Sequence, residues 1–240
     1  MVDESGNMEY SEEPAGDAAQ GDWSELPLVP LFPLPNVVLF PRAVLPLHIF
    51  EDRYKAMTRH ALEGDRRIAM ALLRPGWEKR YYGKPAIEPV VCVGHILSAE
   101  RLEDGCYNCL LQGTHRARIV CEIAGQPYRQ AQVRLYRPPP VMEIDLAYQR
   151  QWLWEALCTG PLASTPLVKQ FEHVFAGPIP ISDVADLVAF TFLDDVTLKQ
   201  SLLVETDVVR RIEQIHAALT RLPPLASDAD HLAFANPRLN

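Results

Sequence analysis

Two cysteines separated by two residues, Cys106 and Cys109, have the spacing seen in zinc sites and in redox-active pairs. A zinc ribbon needs two such pairs, and this sequence has one. Both cysteines fall on a predicted strand, where positions i and i+3 point to opposite faces. A metal site across the sheet would need further ligands from Cys92, His95, His115 and Cys121. We therefore favour ordinary reduced thiols, and we predict no metal and no cofactor.

Other reactive side chains stand in incomplete patterns. His48 and Glu51 form H-x-x-E, whereas a zinc protease helix needs H-E-x-x-H. His173 and His216 have no Ser or Cys partner nearby in the sequence. The one Gly-Lys pair, at residues 83–84, lacks the upstream glycine of a phosphate-binding loop and is followed by proline. We predict no catalytic residues; an enzyme whose site forms only in space is kept as an alternative.

Two groups of side chains favour binding instead of catalysis. Arg116 and Arg118 share one face of a predicted strand, where they would contact an anionic ligand or RNA, or pair with carboxylates across the sheet. We favour the pairing, because few aromatic residues flank them. Trp77, Tyr81 and Tyr82 lie in a loop bounded by proline and glycine, where aromatic residues often serve recognition. We predict a peptide-binding role for these three; the alternative is a lid folded over the sheet.

The elements that must position these residues change character along the chain. From residue 26 to about 137 the sequence predicts short strands, with one helix on the stripe Phe50, Tyr54, Met57 and Ala61. The opening run carries six prolines between Leu26 and Phe50, which exclude a long helix. We expect strands at 28–32 and 37–39 there, with the apolar side chains buried. Further strands are expected at 68–73, 89–98, 106–112, 116–123 and 130–136.

After residues 138–140, which are three prolines, the apolar spacing becomes helical. Four or five helices are expected at 141–222, with Ser182 and Thr206 as N-caps of the two later stripes. The prediction is an α+β protein, with a partly closed β-barrel at 26–140 and a helical bundle at 141–222. Residues 223–240 are expected to form a C-terminal tail.

Charge distribution limits the class of partner. Residues 1–25 hold eight carboxylates and no Lys or Arg, so we expect a disordered acidic tail. The remainder holds 23 acidic and 23 basic residues, and this neutral balance makes a nucleic-acid partner unlikely. No apolar stretch is long enough for a membrane span, and the acidic start is unlike a signal peptide. We expect a cytoplasmic protein with no membrane partner.

Four sequence blocks resemble one family in the order in which that family has them. LPLVPLFPLPNVVLFPRAVLPLHIFEDRYKAM closely resembles the start of the amino-terminal domain of Lon proteases. CYNCLLQGTHRARIV, PYRQAQV and LKQSLLVETDVVRRIEQIHAAL are similar to later blocks of the same domain. The resemblance spans about 26–222, and it implies a PUA-like barrel followed by helices.

The resemblance also implies a function. This domain helps Lon proteases to hold protein substrates, whereas no counterpart of their ATPase or Ser-Lys peptidase is found in these residues. We therefore expect a non-enzymatic module that binds unfolded or disordered polypeptide segments, as an adaptor in protein quality control with a protease or chaperone as a candidate partner. The alternatives are an RNA-binding PUA-like domain and an enzyme with a hidden site.

Overall fold

The computed structural model of this chain describes residues 26–80, 83–136 and 142–222. The tails expected at 1–25 and 223–240 lie outside these residues. Within the described chain, residues 26–39 and 44–136 form one unit, the sheet unit. Residues 40–43 and 142–222 form a second, the helical unit. No helix of the described residues is long and apolar enough to cross a membrane.

The sheet unit holds six strands and one α-helix. These are β1 (Leu28–Leu34), β2 (Val44–Ile49), α1 (Asp52–Glu63), β3 (Arg67–Leu72), β4 (Val90–Arg101), β5 (Tyr107–Ile123) and β6 (Gln130–Leu135). The strand order is β2-β5-β4-β3-β1-β6, and an additional β5–β6 pairing joins five of them in a closed circuit. The β1–β3 pairing is parallel and the others are antiparallel. The predicted α+β class is confirmed, with a mixed sheet in place of a regular barrel.

The proline-rich opening run forms one strand before its first bend. Strand β1 accommodates Pro30 and Pro33 because residues 28–30 pair only with β6, while residues 31–34 pair only with β3. A proline that lacks an N–H is tolerated where one side of a strand is unpaired. The second strand expected at 37–39 is wrong. This segment follows a bend at residues 35–36 and is buried without regular structure.

Burial in the opening run departs from the prediction at two positions. Leu31 and Val38 are buried, but Leu28 is 46% exposed at the start of β1. Phe50 was expected on the buried stripe of α1, yet it precedes the helix and is also exposed. The helix itself buries Tyr54, Met57 and Ala61 as the stripe predicts.

Strand β5 is one strand of 17 residues, whereas the sequence predicts two strands separated at Gly113. Gly113 lies opposite Gly94 of β4 at a shift in register. A Cβ on Gly94 would stand 2.8 Å from the Leu111 Cγ atom and 3.0 Å from the Gln112 carbonyl oxygen. The lack of a side chain at Gly94 therefore allows β4 to pack closely on a continuous β5. The predicted turn follows β4, with Gly105 at φ 81°.

The interior of the sheet unit is apolar, and a nearly buried ion pair lies at its edge. Its buried cluster consists of Val29, Leu31, Ala69, Ala71, Leu73, Ile87, Val91, Val93, Ala117, Ile119, Ala131 and Val133. Arg129 forms an ion pair with Glu122, and both side chains are nearly buried. Its Nη1 atom also donates to the Pro85 carbonyl oxygen at 2.7 Å, so the pair anchors the end of the loop before β4.

The helical unit contains α2 (Ala147–Thr159), α3 (Pro166–Ala176), α4 (Ile181–Phe192), α5 (Val196–Val204) and α6 (Val208–Thr220). Inside it, the Arg211 Nε atom lies 3.1 Å from the Asp186 Oδ1 atom, and both side chains are almost fully buried. Arg42, from the opening run, donates to the Asp183 carboxylate at 2.9 Å. These two ion pairs connect α4 with α6 and with residues 40–43.

Both predicted helix caps are wrong by one or two residues. Helix α4 has Pro180 at its N-cap, and the Glu143 carboxylate accepts from the Ile181 N–H at 3.1 Å. A carboxylate distant in sequence thus replaces Ser182. Helix α6 is capped by Asp207 and not by its neighbour Thr206.

Candidate functional site

The outward face of strand β2 and its neighbours exposes apolar side chains that are usually buried. Along β2, Leu45, Leu47 and Ile49 point inward and are at most 5% exposed. The alternate residues, Val44, Pro46 and His48, are exposed. Because successive side chains of a strand point to opposite faces, these alternate residues share the outward face.

Cross-strand pairing extends this face over three strands. Pro46 of β2 lies opposite Leu110 of β5, and Leu110 lies opposite Ser98 of β4. A register shift between Ile96 and Ser98 leaves Leu97 as the extra residue of a bulge. The exposed fractions are 48% for Leu97 and 40% for Leu110.

Phe50, just after β2, adds an aromatic ring to this surface. Its ring stacks on His48 with the centroids 6.2 Å apart, and it is 52% exposed. We call the group formed by Val44, Pro46, Phe50, Leu97 and Leu110 the β2–β5 patch. Exposed apolar groups that cluster in this way mark interaction sites on soluble proteins.

Polar side chains flank the centre of the patch, formed by Pro46, Leu97 and Leu110, on both sides along the strands. On one side, Val44 pairs with Gln112, and Gln112 pairs with His95. On the other side, His48 pairs with Asn108, and Asn108 pairs with Glu100. The His48 Nδ1 atom lies 2.8 Å from the Asn108 Oδ1 atom, within hydrogen-bond distance. An apolar centre with a polar rim is the usual anatomy of a protein-binding surface.

The cysteines considered as metal ligands are mostly buried in the sheet unit. Cys106 precedes β5 and its N–H donates to the Asp104 carboxylate at 2.9 Å. Burial raises the pKa of the Cys109 thiol to about 11, which keeps it protonated at neutral pH. The Cys121 thiol donates to the Gln132 side-chain oxygen at 3.2 Å. Within the described chain, no group of three or more His, Cys, Asp or Glu side chains is placed to hold a metal ion.

The remaining candidate residues are engaged in local structure. Glu51, the second residue of the H-x-x-E pattern that begins at His48, forms an ion pair with Arg53 at 2.9 Å. Arg116 and Arg118 are half-buried on one face of β5, and both interact with other groups. His173 lies near the end of α3, where the Gly177 N–H donates to its carbonyl oxygen.

Of the predicted recognition aromatics, one lies in the described chain. Trp77 begins a short 3₁₀ turn and packs, half-buried, against the apolar cluster of the sheet unit. Tyr81 and Tyr82 lie outside the described residues. A peptide-binding role for the three therefore stays a prediction.

The helical unit carries an aromatic stack that the sequence patterns did not indicate. The ring centroids of Trp152 and His216 lie 3.7 Å apart with the rings nearly parallel, and the Tyr148 ring stacks on Trp152 with the centroids 6.4 Å apart. Burial lowers the pKa of His216, which favours the neutral ring on the indole. Tyr148 is 71% exposed, and Met142 and Ile144, which precede it in the chain, are also largely exposed.

Comparison with protein families gives the fold and the surface a context. The family model described as the ATP-dependent protease La (LON) substrate-binding domain matches residues 28–221. The chain belongs to the Lon substrate-binding domain family. The match lies within the range expected from the four sequence blocks, so that prediction is confirmed.

Relatives of this Lon domain are much longer proteins. Lon protease 2 of Herpetosiphon aurantiacus is 30% identical over 201 residues, which cover 80% of this chain and 24% of that protein. The Lon protease of Roseiflexus castenholzii is 27% identical over 195 residues, with 81% and 24% covered. The chain thus spans about a quarter of the curated relatives that it matches, and the match is to the substrate-binding domain.

Two solved structures have the same fold. The N-terminal domain of a Lon protease from the Mycobacterium avium complex aligns with a TM-score of 0.64 at 16% identity. A Lon N-terminal domain protein from Xanthomonas campestris aligns with a TM-score of 0.58 at 22% identity. Each alignment covers 82% of this chain and the whole of the other chain.

The sequence patterns do not indicate the β2–β5 patch, for a physical reason. Three of its members, Val44, Pro46 and Phe50, lie in the apolar opening run, whose side chains are expected to be buried. Alternation along β2 was the available signal, since Leu45, Leu47 and Ile49 occupy the other positions. The outward position of Leu97 depends on a bulge that the sequence does not mark.

Proposed function

We propose that this chain binds exposed apolar segments of unfolded or disordered polypeptides and does not itself transform them. Membership of a substrate-binding domain family supports binding as the general role. The observation that carries the proposal is the β2–β5 patch, where apolar side chains of three adjacent strands face outward together. Handing the bound segment to a protease or chaperone partner is the adaptor role that we propose for it.

The geometry of the patch suits an extended segment better than a folded surface. Its residues lie on or next to neighbouring strands, and β2 stands at the end of the sheet order, where β5 is its one partner among the described strands. A segment running along β5 over Leu110, beside Pro46, would bury its own apolar side chains there and leave its polar groups near Asn108 and Gln112. Burial of apolar area supplies the affinity, since each square ångström contributes about 25 cal/mol.

The test measures binding to reduced, carboxymethylated α-lactalbumin, which is permanently unfolded, by fluorescence anisotropy. The double variant Leu97→Ser, Leu110→Ser removes the centre of the patch. We expect its Kd to rise about tenfold, because loss of buried anchors costs about 1–2 kcal/mol in protein interfaces. Leu28→Ser is the matched control, since Leu28 is similarly exposed but lies at the start of β1.

A second arm of the same assay tests the loop aromatics. Replacement of Trp77, Tyr81 and Tyr82 by Ala should weaken binding if they add to the surface. Thermal unfolding of each variant separates lost binding from lost folding, because Trp77 packs on the core. Equal affinity of the patch variant, its control and the parent chain would contradict the proposed function at this surface.

A further inference from the structure

The polar rim of the β2–β5 patch is electrically asymmetric. On the side beyond Pro46 and Leu110, Glu100 occupies the outward position opposite Asn108. Asp104 follows in the exposed turn between β4 and β5. The other side of the patch carries the uncharged amide of Gln112 and, farther along the same row, Arg67, which is paired with Asp65.

The two carboxylates on the acidic side are available to a ligand. Neither forms an ion pair among the residues that the structure describes. The hydrogen bond from the Cys106 N–H, more than the nearby His48, lowers the pKa of Asp104 and keeps it ionised at neutral pH. Lys55 is close enough to Asp104 for an electrostatic attraction, but its ammonium group forms an ion pair with Asp52 at 2.7 Å.

The spacing of the rows on the sheet determines where a bound cation would stand. Same-face residues of a strand are two positions apart, about 6.8 Å along the strand. The row Pro46–Leu110 is therefore separated by this distance from the row His48–Asn108–Glu100. An extended segment that runs along β5 has the same repeat. If one of its apolar side chains covers Leu110, the side chain two positions away in the direction of Asn108 reaches the acidic row.

We propose that the β2–β5 patch selects extended segments in which an apolar residue and a Lys or Arg stand two positions apart. This selectivity rests on the proposed polypeptide binding and specifies its substrate class. The apolar contact supplies most of the affinity, and Glu100 with Asp104 discriminates by charge. A carboxylate at the same position of the segment would meet two like charges, and it is rejected.

The experiment uses the full chain and three fluorescein-labelled 14-residue peptides of Gly, Ser and two Leu residues two positions apart. The first peptide has Lys two positions after the second Leu. The second peptide has Lys one position after that Leu. The third peptide is the first one with its Lys replaced by Glu. Anisotropy titrations at 50 mM salt should rank the first peptide tightest and the third weakest. The step between the first and second is about threefold, as for an exposed ion pair.

Matched variants locate the source of the preference. Glu100→Gln with Asp104→Asn should abolish the difference between the Lys and Glu peptides. The same variant should leave unchanged the affinity for an uncharged peptide that has Ser in place of Lys. Glu213→Gln, an exposed carboxylate on α6, is the control and should retain the difference.

The outcomes separate this inference from the function on which it rests. Equal binding of all three peptides overturns the charge selectivity and leaves polypeptide binding intact. If no peptide binds but the unfolded protein does, the selectivity is likewise overturned, because it requires short extended segments. Failure of both kinds of ligand contradicts the proposed function itself. Light scattering of the parent chain and of Leu97→Ser, Leu110→Ser tests a second copy as the occupant; a dimer lost in the variant would overturn the inference.

Discussion

At the scale of single residues, the cysteines illustrate how burial decides chemistry. Cys92, Cys106 and Cys109 are buried, Cys121 is half-buried, and Cys158 is exposed near the end of α2. Only the thiolate is an effective nucleophile. At pH 8, a thiol of pKa about 11 such as Cys109 holds about a hundredfold less thiolate than one at the ordinary value of 9.0.

We therefore predict a strong order of reactivity in the native state. With iodoacetamide at pH 8, Cys158 should be alkylated first and Cys109 should stay unmodified over the same period. Intact-mass measurement and peptide mapping give the order. In guanidinium chloride all five cysteines should react, which provides the control. Alkylation of Cys109 in the native chain as fast as that of Cys158 would mean that the strand opens readily.

Residue positions were predictable where periodicity was regular and not where it was interrupted. The stripe Tyr54, Met57 and Ala61 follows from helical spacing, and all three side chains are buried. Phe50 fits the same spacing but lies before the helix. Its position could not be predicted, because apolar spacing does not indicate the residue at which a helix begins. The position of Glu100 beside the patch follows from its pairing with Asn108, which the sequence alone does not show.

At the scale of elements, helix α6 depends on a cap that the sequence left ambiguous. Thr206 and Asp207 are both good N-cap residues. The sequence analysis predicts Thr206, but in the structure the Asp207 Oδ1 atom accepts from the N–H groups of Val209 at 2.9 Å and Arg210 at 3.2 Å. Thr206 is exposed. Helix α6 also carries Arg211, whose buried contact with Asp186 requires the first turn to be formed.

We predict that Asp207→Ala lowers the free energy of unfolding by about 1 kcal/mol, the usual cost of a lost N-cap. Thr206→Ala should change it by less than about 0.5 kcal/mol, as is typical for an exposed site without special contacts. Urea unfolding followed by circular dichroism measures both variants. If Thr206→Ala lowers the free energy of unfolding more than Asp207→Ala does, Thr206 and not Asp207 is the cap, and the prediction is wrong.

The existence of the elements was easier to predict than their limits. The change from strands to helices near residue 140 follows from apolar spacing and is seen in the structure. Strand β5 was divided wrongly, because a glycine in a strand can mark a break or a close approach, and the sequence does not distinguish them. The short helix α5 has no clear stripe, so only the capping Asp195 indicates its start.

At the scale of the whole molecule, the distribution of charge separates polypeptide binding from RNA binding. Residues 26–240 are neutral overall, with 23 acidic and 23 basic residues. Affinity for nucleic acid comes largely from phosphate contacts and therefore falls steeply as salt rises. Arg116 and Arg118, the arginines considered for an RNA contact, are half-buried and engaged with other groups.

We predict that a 20-nucleotide RNA hairpin gives no saturable anisotropy change below about 100 µM protein at 150 mM salt, a limit at the weak end of nonspecific binding. Binding of an uncharged apolar peptide should vary little between 50 and 200 mM salt, because buried apolar area and not charge supplies its affinity. The variant Arg116→Gln, Arg118→Gln should leave that peptide affinity unchanged. The prediction is contradicted if RNA binds with micromolar affinity, if that binding weakens as salt rises, and if the variant loses it. Such a result would place an RNA site on β5, on a local basic surface of a chain that is neutral overall from residue 26 onward.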